Sequence, residues 1–133
     1  MTTNIPIIYG SEIIAQASAA ITADDDSDGV LTTIDNSLSG NGAGCHMYQC
    51  FVNVTSGPTS DAVCRLYYAG ARSGTPSNFD SGSLSVAIPA AGTGDFSLGY
   101  LDIPDPVSRC KIAAENYGFT ASLIVVPVLP QAQ

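Results

Sequence analysis

Apolar and polar residues alternate with a period of two along most of this chain, the pattern of strands that bury one face. In residues 46 to 54 the even positions His46, Tyr48, Cys50, Val52 and Val54 line up as an apolar face. Ala62, Cys64, Leu66 and Tyr68 do the same, as do Phe96, Leu98 and Tyr100. Residues 12 to 22 have an Ala-rich middle compatible with a helix, yet Ile13, Ala15, Ala17, Ala19 and Ile21 also alternate as one strand face. With further runs at 4–9, 30–34, 83–88, 107–115 and 119–128, the pattern predicts eight or nine short strands.

The punctuation between these runs is that of turns. "SGPTS" (56–60) separates two strongly alternating runs and predicts a hairpin that sets Cys50 opposite Cys64 on one face. "PAAGTGD", "DIPDP" and "AENYGF" read as tight loops, while 36–44 and 70–82 are longer. No strand–helix–strand rhythm is visible. The expected fold is all-β, an antiparallel sandwich or barrel. Residues 1–10 form an extended arm or first strand, and 11–133 a single β-sandwich domain.

The last run departs from simple alternation. Phe119, Ala121, Leu123 and Val125 share one face, but Ile124 and Val126 make the other face apolar too. A strand apolar on both sides is either central or covered by a second chain. In a small antiparallel sandwich, that predicts a second subunit over Ile124 and Val126.

Composition narrows the function. Charged residues make up 12% of the 133 residues, about half the usual share. Ser, Thr, Gly and Ala take their place, a surface suited to close neighbours in an assembly. Net charge is −8, and the only cations are Arg65, Arg72, Arg109 and Lys111. A nucleic-acid or anionic-membrane ligand needs a clustered basic surface, so neither is expected. The start "MTTNIPIIYG" lacks the basic and apolar regions of a signal peptide. The apolar run 122–130 is too short for a membrane span and carries Pro127 and Pro130. A soluble product of the cytoplasm is expected.

Candidate chemistry is sparse. "TADDDSDGVLTTIDNS" places Asp24, Asp26, Asp28, the Val30 carbonyl, Thr32 and Asp35 at the ligand positions of a calcium loop, with Gly29 at the turn. Its last position is Asp rather than the longer Glu, and residues 36–44 cannot make an exiting helix. The two readings are a helix-free calcium loop, calcium being the only cofactor suggested, and a hydrated turn between strands, which the missing helix favours. Cys45, Cys50, Cys64 and Cys110 contain no C-x-x-C pair. They read as free core thiols, with a Cys50–Cys64 disulfide or a metal site as alternatives. His46 is the single histidine and falls on a core-facing position; no nucleophile elbow or phosphate loop occurs. An enzyme is not expected.

The segments "ASAAITADDDSDGVLTTID", "SLSVAIPAAGTGDFSLGYLDIP" and "AENYGFTASLIVVPVLP" resemble small virion proteins of tailed bacteriophages, in particular capsid decoration, or cement, proteins. That resemblance implies a jelly-roll-like sandwich, often a homotrimer, bound outside the capsid. There it would hold copies of the major capsid protein together without catalysis. The virion surface is the location it implies. Ile5, Pro6, Ile7, Ile8 and Tyr9 are the capsid-contact candidates, as an arm that lies on the shell or pairs with a neighbour's strand edge. Alternatives are a phage tail or fibre component, and a calcium-dependent carbohydrate-binding sandwich.

A thermal melt with added calcium separates the two readings of the acidic loop. A hydrated turn gives a melting temperature unmoved by millimolar calcium; a rise would establish the metal loop.

Overall fold

The computed structural model describes residues 7–22 and 30–130. They form nine strands, β1 (Ile7–Tyr9), β2 (Ile13–Ile21), β3 (Ile34–Asp35), β4 (Met47–Ser56), β5 (Ala62–Ala71), β6 (Asp80–Ile88), β7 (Gly94–Asp102), β8 (Val107–Ala114) and β9 (Phe119–Pro130). All pairings are antiparallel, and they build two sheets packed face to face. One runs β9-β4-β7, with β1 and β2 sharing the far edge of β9; the other runs β3-β8-β5-β6. The pairing is nested: β5 with β6, β4 with β7, β3 with β8, β2 with β9. The chain is thus a long antiparallel ribbon wrapped so that successive strands mostly fall in opposite sheets.

The expected Ala-rich strand is β2, and strand alternation wins over helix propensity because Ile13, Ala15 and Ile21 all reach the core. Tyr48, Cys50, Val52 and Val54 of β4, with Leu123 and Val125 of the adjacent β9, face Cys64 and Leu66 of β5 and Cys110 and Ile112 of β8. Burying such side chains contributes about 1.5–3 kcal/mol each, and this core is the principal stabilising term.

Three expectations are corrected. The segment 57–61 is not a hairpin turn. β4 pairs with β7 and β9, and β5 with β6 and β8, so the loop crosses from one sheet to the other. Cys50 and Cys64 therefore lie in different sheets rather than side by side. Gly57 is required in this crossing: a Cβ there would lie 2.5 Å from the Ala91 backbone in the loop after β6. Second, β7 carries a bulge. Cys50 pairs with Gly99 and Phe51 with Ser97, leaving Leu98 as the extra residue. Gly99 has φ +106, which a residue with a Cβ rarely adopts. The bulge inverts the phase of the strand, so Leu101 faces inward and Tyr100 outward. Third, the run 30–34 is mostly not a strand of its own sheet. A bridge at Leu31 and the bonds Ala17 N to Val30 O (2.8 Å) and Thr32 N to Ala15 O (3.0 Å) bind it to β2, before Ile34–Asp35 joins β8.

The shortness of β3 leaves the outer edge of β8 without a strand partner beyond Ser108. β2 closes that edge from the opposite sheet. Gln16, fully buried between two register shifts of β2, turns its side chain inward, and its Oε1 accepts from Ile112 N at 2.8 Å. Farther along, Thr22 O accepts from Ala114 N at 3.0 Å. Both donors would otherwise be buried without a strand partner, which costs about 1–3 kcal/mol each.

Gln16→Leu keeps the volume and removes the acceptor. It is expected to lower unfolding stability by about 1–3 kcal/mol in urea, with the m-value unchanged. Amide exchange should accelerate at Ile112 first. A variant as stable as the parent would show that the seam does not depend on this bond.

Candidate interaction surface

The outward face of the β1/β2-β9-β4-β7 sheet divides into two halves. Strand register places Ile14, Ile124, Phe51 and Ser97 in one lateral row, and Val126, Gln49 and Tyr100 in the next. Toward the other end of the same face come Ser122, Asn53 and Asp95, then Ala20, Thr120 and Ser56. One half is apolar and the other polar. Ile14 is 54% exposed, Tyr100 51%, Tyr9 49% and Met47 40%, so apolar side chains on this half stand in solvent.

Tyr9 and Tyr100 reach toward each other from β1 and β7 and share a hydrogen bond between their phenols. The shared proton of that bond, with the charge of its neighbour, raises the Tyr9 pKa. Val126 and Gln49 lie in register with Tyr100, Val128 with Tyr9, and Val126 is only 8% exposed. Beside this pair, a cavity of about 290 Å³ is lined by Gly44, Cys45, His46, Met47, Val128 and Leu129. It continues the apolar half toward the end of the sandwich where the segments 36–46, 72–79 and 103–106 lie.

That end is held by polar contacts. Tyr48 donates its hydroxyl proton to Asn36 Oδ1, and Asn36 Nδ2 donates to Ile103 O (2.8 Å) and Asp105 O (2.9 Å). Tyr68 donates to Asp105 Oδ2. Burial pushes both phenols above their usual pKa, and for Tyr68 the Asp105 carboxylate adds to it. Arg109 Nε donates to Thr33 Oγ1 at 3.2 Å. These bonds join loops to the two sheets and require no solvent or ligand.

Charge is distributed unevenly. Arg65 and Arg109 stand on β5 and β8, Lys111 lies 4.7 Å from the centre of the Phe79 ring, and Arg72 opens the loop after β5. Arg65 is paired with Glu115. All four cations thus belong to the β3-β8-β5-β6 sheet or its loop. Among the described residues, the apolar face has no cation and is bordered by Glu12, Asp95 and Asp102.

The residues singled out by sequence fall in several places. Ile124 and Val126 lie on the outward face, at the centre of its apolar half. Ile7, Ile8 and Tyr9 form β1 and pair with Pro130, Leu129 and Val128 of the chain's own β9. Ile5 and Pro6 lie outside the described residues, as do Asp24, Asp26 and Asp28. Of the other calcium-loop positions, the Val30 carbonyl accepts from Ala17 N and Thr32 is exposed. Asp35 caps the next turn: its Oδ1 accepts from Ser37 N at 2.9 Å, and that bond lowers its pKa. His46 is exposed just before β4, not core-facing, because the strand begins one residue later; its Nδ1 lies 3.4 Å from Ile103 O. Phe51, Met47 and Ile14 were legible as apolar residues out of phase with their strands. The Tyr9–Tyr100 pair was hidden by the bulge in β7.

All four cysteines are buried free thiols. Burial pushes Cys50 and Cys64 up to about 12. Comparison with protein-family models, curated proteins and solved structures finds no match to this chain.

The cysteine shifts fix a pH dependence. Thiols that stay neutral in the folded chain ionise first in the unfolded one. Their contribution to stability is present below the usual 9.0 and is lost as pH rises toward about 12. Denaturation across the alkaline range should show stability falling in that window, and Cys50→Ala should flatten the slope. An equal slope in the variant would remove Cys50 from the account.

Proposed function

We propose that this protein is a non-enzymatic structural component of a bacteriophage virion, assembled as a homotrimer that decorates and stabilises the outside of the capsid. The fold proposed for it is the jelly roll. The nested pairing of β2 with β9 through β5 with β6 supports that reading, because a ribbon wrapped in this way gives two Greek keys.

The observation that carries the function is the apolar half of the outward sheet face. Ile124 and Val126 sit at its centre with Ile14 and Tyr100 exposed beside them. A contiguous apolar patch rimmed by polar residues marks a contact with another macromolecule. A weakly charged chain suits a position between close neighbours, and a decoration protein needs only a rigid scaffold and repeated contacts. Three linked copies convert modest single contacts into durable attachment through effective concentration. The major capsid protein is the partner this role requires.

The test is co-sedimentation of the purified chain with expanded, empty phage heads. Saturable binding that raises the temperature at which heads break is expected. Binding to tails alone would replace decoration with a tail or fibre role. Calcium-dependent binding to glycans, with none to heads, would replace it with carbohydrate recognition.

A further inference from the structure

We propose that Asn41 is a gated deamidation site. The closed loop between β3 and β4 protects the Asn41–Gly42 linkage, and opening of the loop admits a one-way conversion whose product the closed loop rejects. This inference stands apart from the virion reading.

Asparagine followed by glycine is the dipeptide most prone to lose its side-chain amide, because glycine leaves the next main-chain nitrogen unhindered. Residues 41 and 42 are the only such pair in the sequence. In the reaction the Gly42 nitrogen loses its proton and attacks Asn41 Cγ. The new C–N bond closes a succinimide ring, the Cγ–Nδ2 bond breaks, and ammonia leaves. Water then opens the ring at either carbonyl, which leaves aspartate or isoaspartate at position 41. Water enters, ammonia departs, and no other reactant is needed.

The fold requires both residues. Asn41 Oδ1 accepts from Asp35 N at 2.7 Å, and Asn41 Nδ2 donates to Thr33 O at 2.8 Å. The side-chain amide thereby pairs with the edge of β3 turned away from β8, as a neighbouring strand would. That role needs a donor and an acceptor on one short side chain. Gly42 is buried, and a Cβ there would strike the Tyr48 hydroxyl and lie 2.8 Å from both Asp35 O and Asn36 Oδ1. Packing and hydrogen bonding thus select the reactive pair.

The same bonds hold the reaction off. Gly42 N donates to Asp35 O at 2.8 Å, so its deprotonation breaks that bond. Attack at Cγ and loss of Nδ2 break the bonds to Asp35 N and Thr33 O. All three must be given up before the converted residue forms. The loop is kept closed by Tyr48, which donates to Asn36 Oδ1, and by Ala43 N and Gly44 N, which donate to Gly40 O and Ser37 O at 3.0 Å. Opening of this loop is therefore the gate.

Neither product fits the closed loop. Aspartate at position 41 keeps an acceptor for Asp35 N but turns an oxygen toward Thr33 O, where a donor stood. Isoaspartate adds a methylene group to the main chain and displaces Gly42 from beneath the Tyr48 hydroxyl. The loop runs on into Gly44, Cys45, His46 and Met47, which line the cavity beside the apolar half of the sheet face. Conversion at Asn41 would loosen that wall.

Peptide mapping by mass spectrometry, with isoaspartate resolved from aspartate, tests the gate on the full chain incubated in mildly alkaline buffer with and without guanidinium chloride. Conversion at Asn41 should be at least about 10-fold slower in the folded chain, because it proceeds only through the open loop. Asn41→Asp, the direct product, should melt several degrees lower than the wild type, with faster amide exchange at Asp35. Equal conversion rates with and without denaturant would overturn the gate, and no conversion in denaturant would remove the site. An Asn41→Asp chain as stable as the wild type would overturn the rejection of the product.

Discussion

The sandwich depends on how the edge of β8 is closed. Its strand partner β3 has two residues, so most of that edge would be left with unpaired donors next to the core. β2, an edge strand of the opposite sheet, supplies the missing acceptors through Gln16 Oε1 and Thr22 O. A buried amide is costly unless bonded, and here the bond joins the two layers at the open edge of β8. The register shifts of β2 on both sides of Gln16 are what turn that side chain inward. One irregular strand thereby seals one side of the molecule, while β6 and β7 remain as edges on the other.

With the core secured, the two outward faces are free to differ. The β3-β8-β5-β6 sheet and its loop carry the cations, partly neutralised by Glu115 and covered by Phe79. The β1/β2-β9-β4-β7 sheet has an apolar half without a cation. Among the described residues, neither face presents a constellation of nucleophile, base and acid, and the polar bonds at the loop end serve to fix loops. Surface chemistry of this kind suits a protein whose partners lie against it, with charge setting orientation and apolar area supplying affinity.

Much of the architecture was legible in the sequence because period-two alternation is a direct consequence of strand geometry. Most of the strands, the core face of β4 from Tyr48 onward and the outward position of Ile124 and Val126 followed from it. What alternation does not encode is which strands pair. "SGPTS" has the composition of a hairpin turn, yet the segment crosses between sheets, since turn residues suit either route. Alternation also fails wherever the phase slips, as at Leu98–Gly99, so Tyr100 was assigned to the wrong side. Gln16 read as a polar position within an Ala-rich strand; only the missing strand beside β8 explains its burial.

The central claim is that the outward apolar face is covered by another copy of the chain. A native mass spectrum of the wild-type protein at micromolar concentration tests it most directly. The account predicts the mass of three chains. The mass of a single chain, persisting as concentration is raised, would contradict it and leave that face to a different partner.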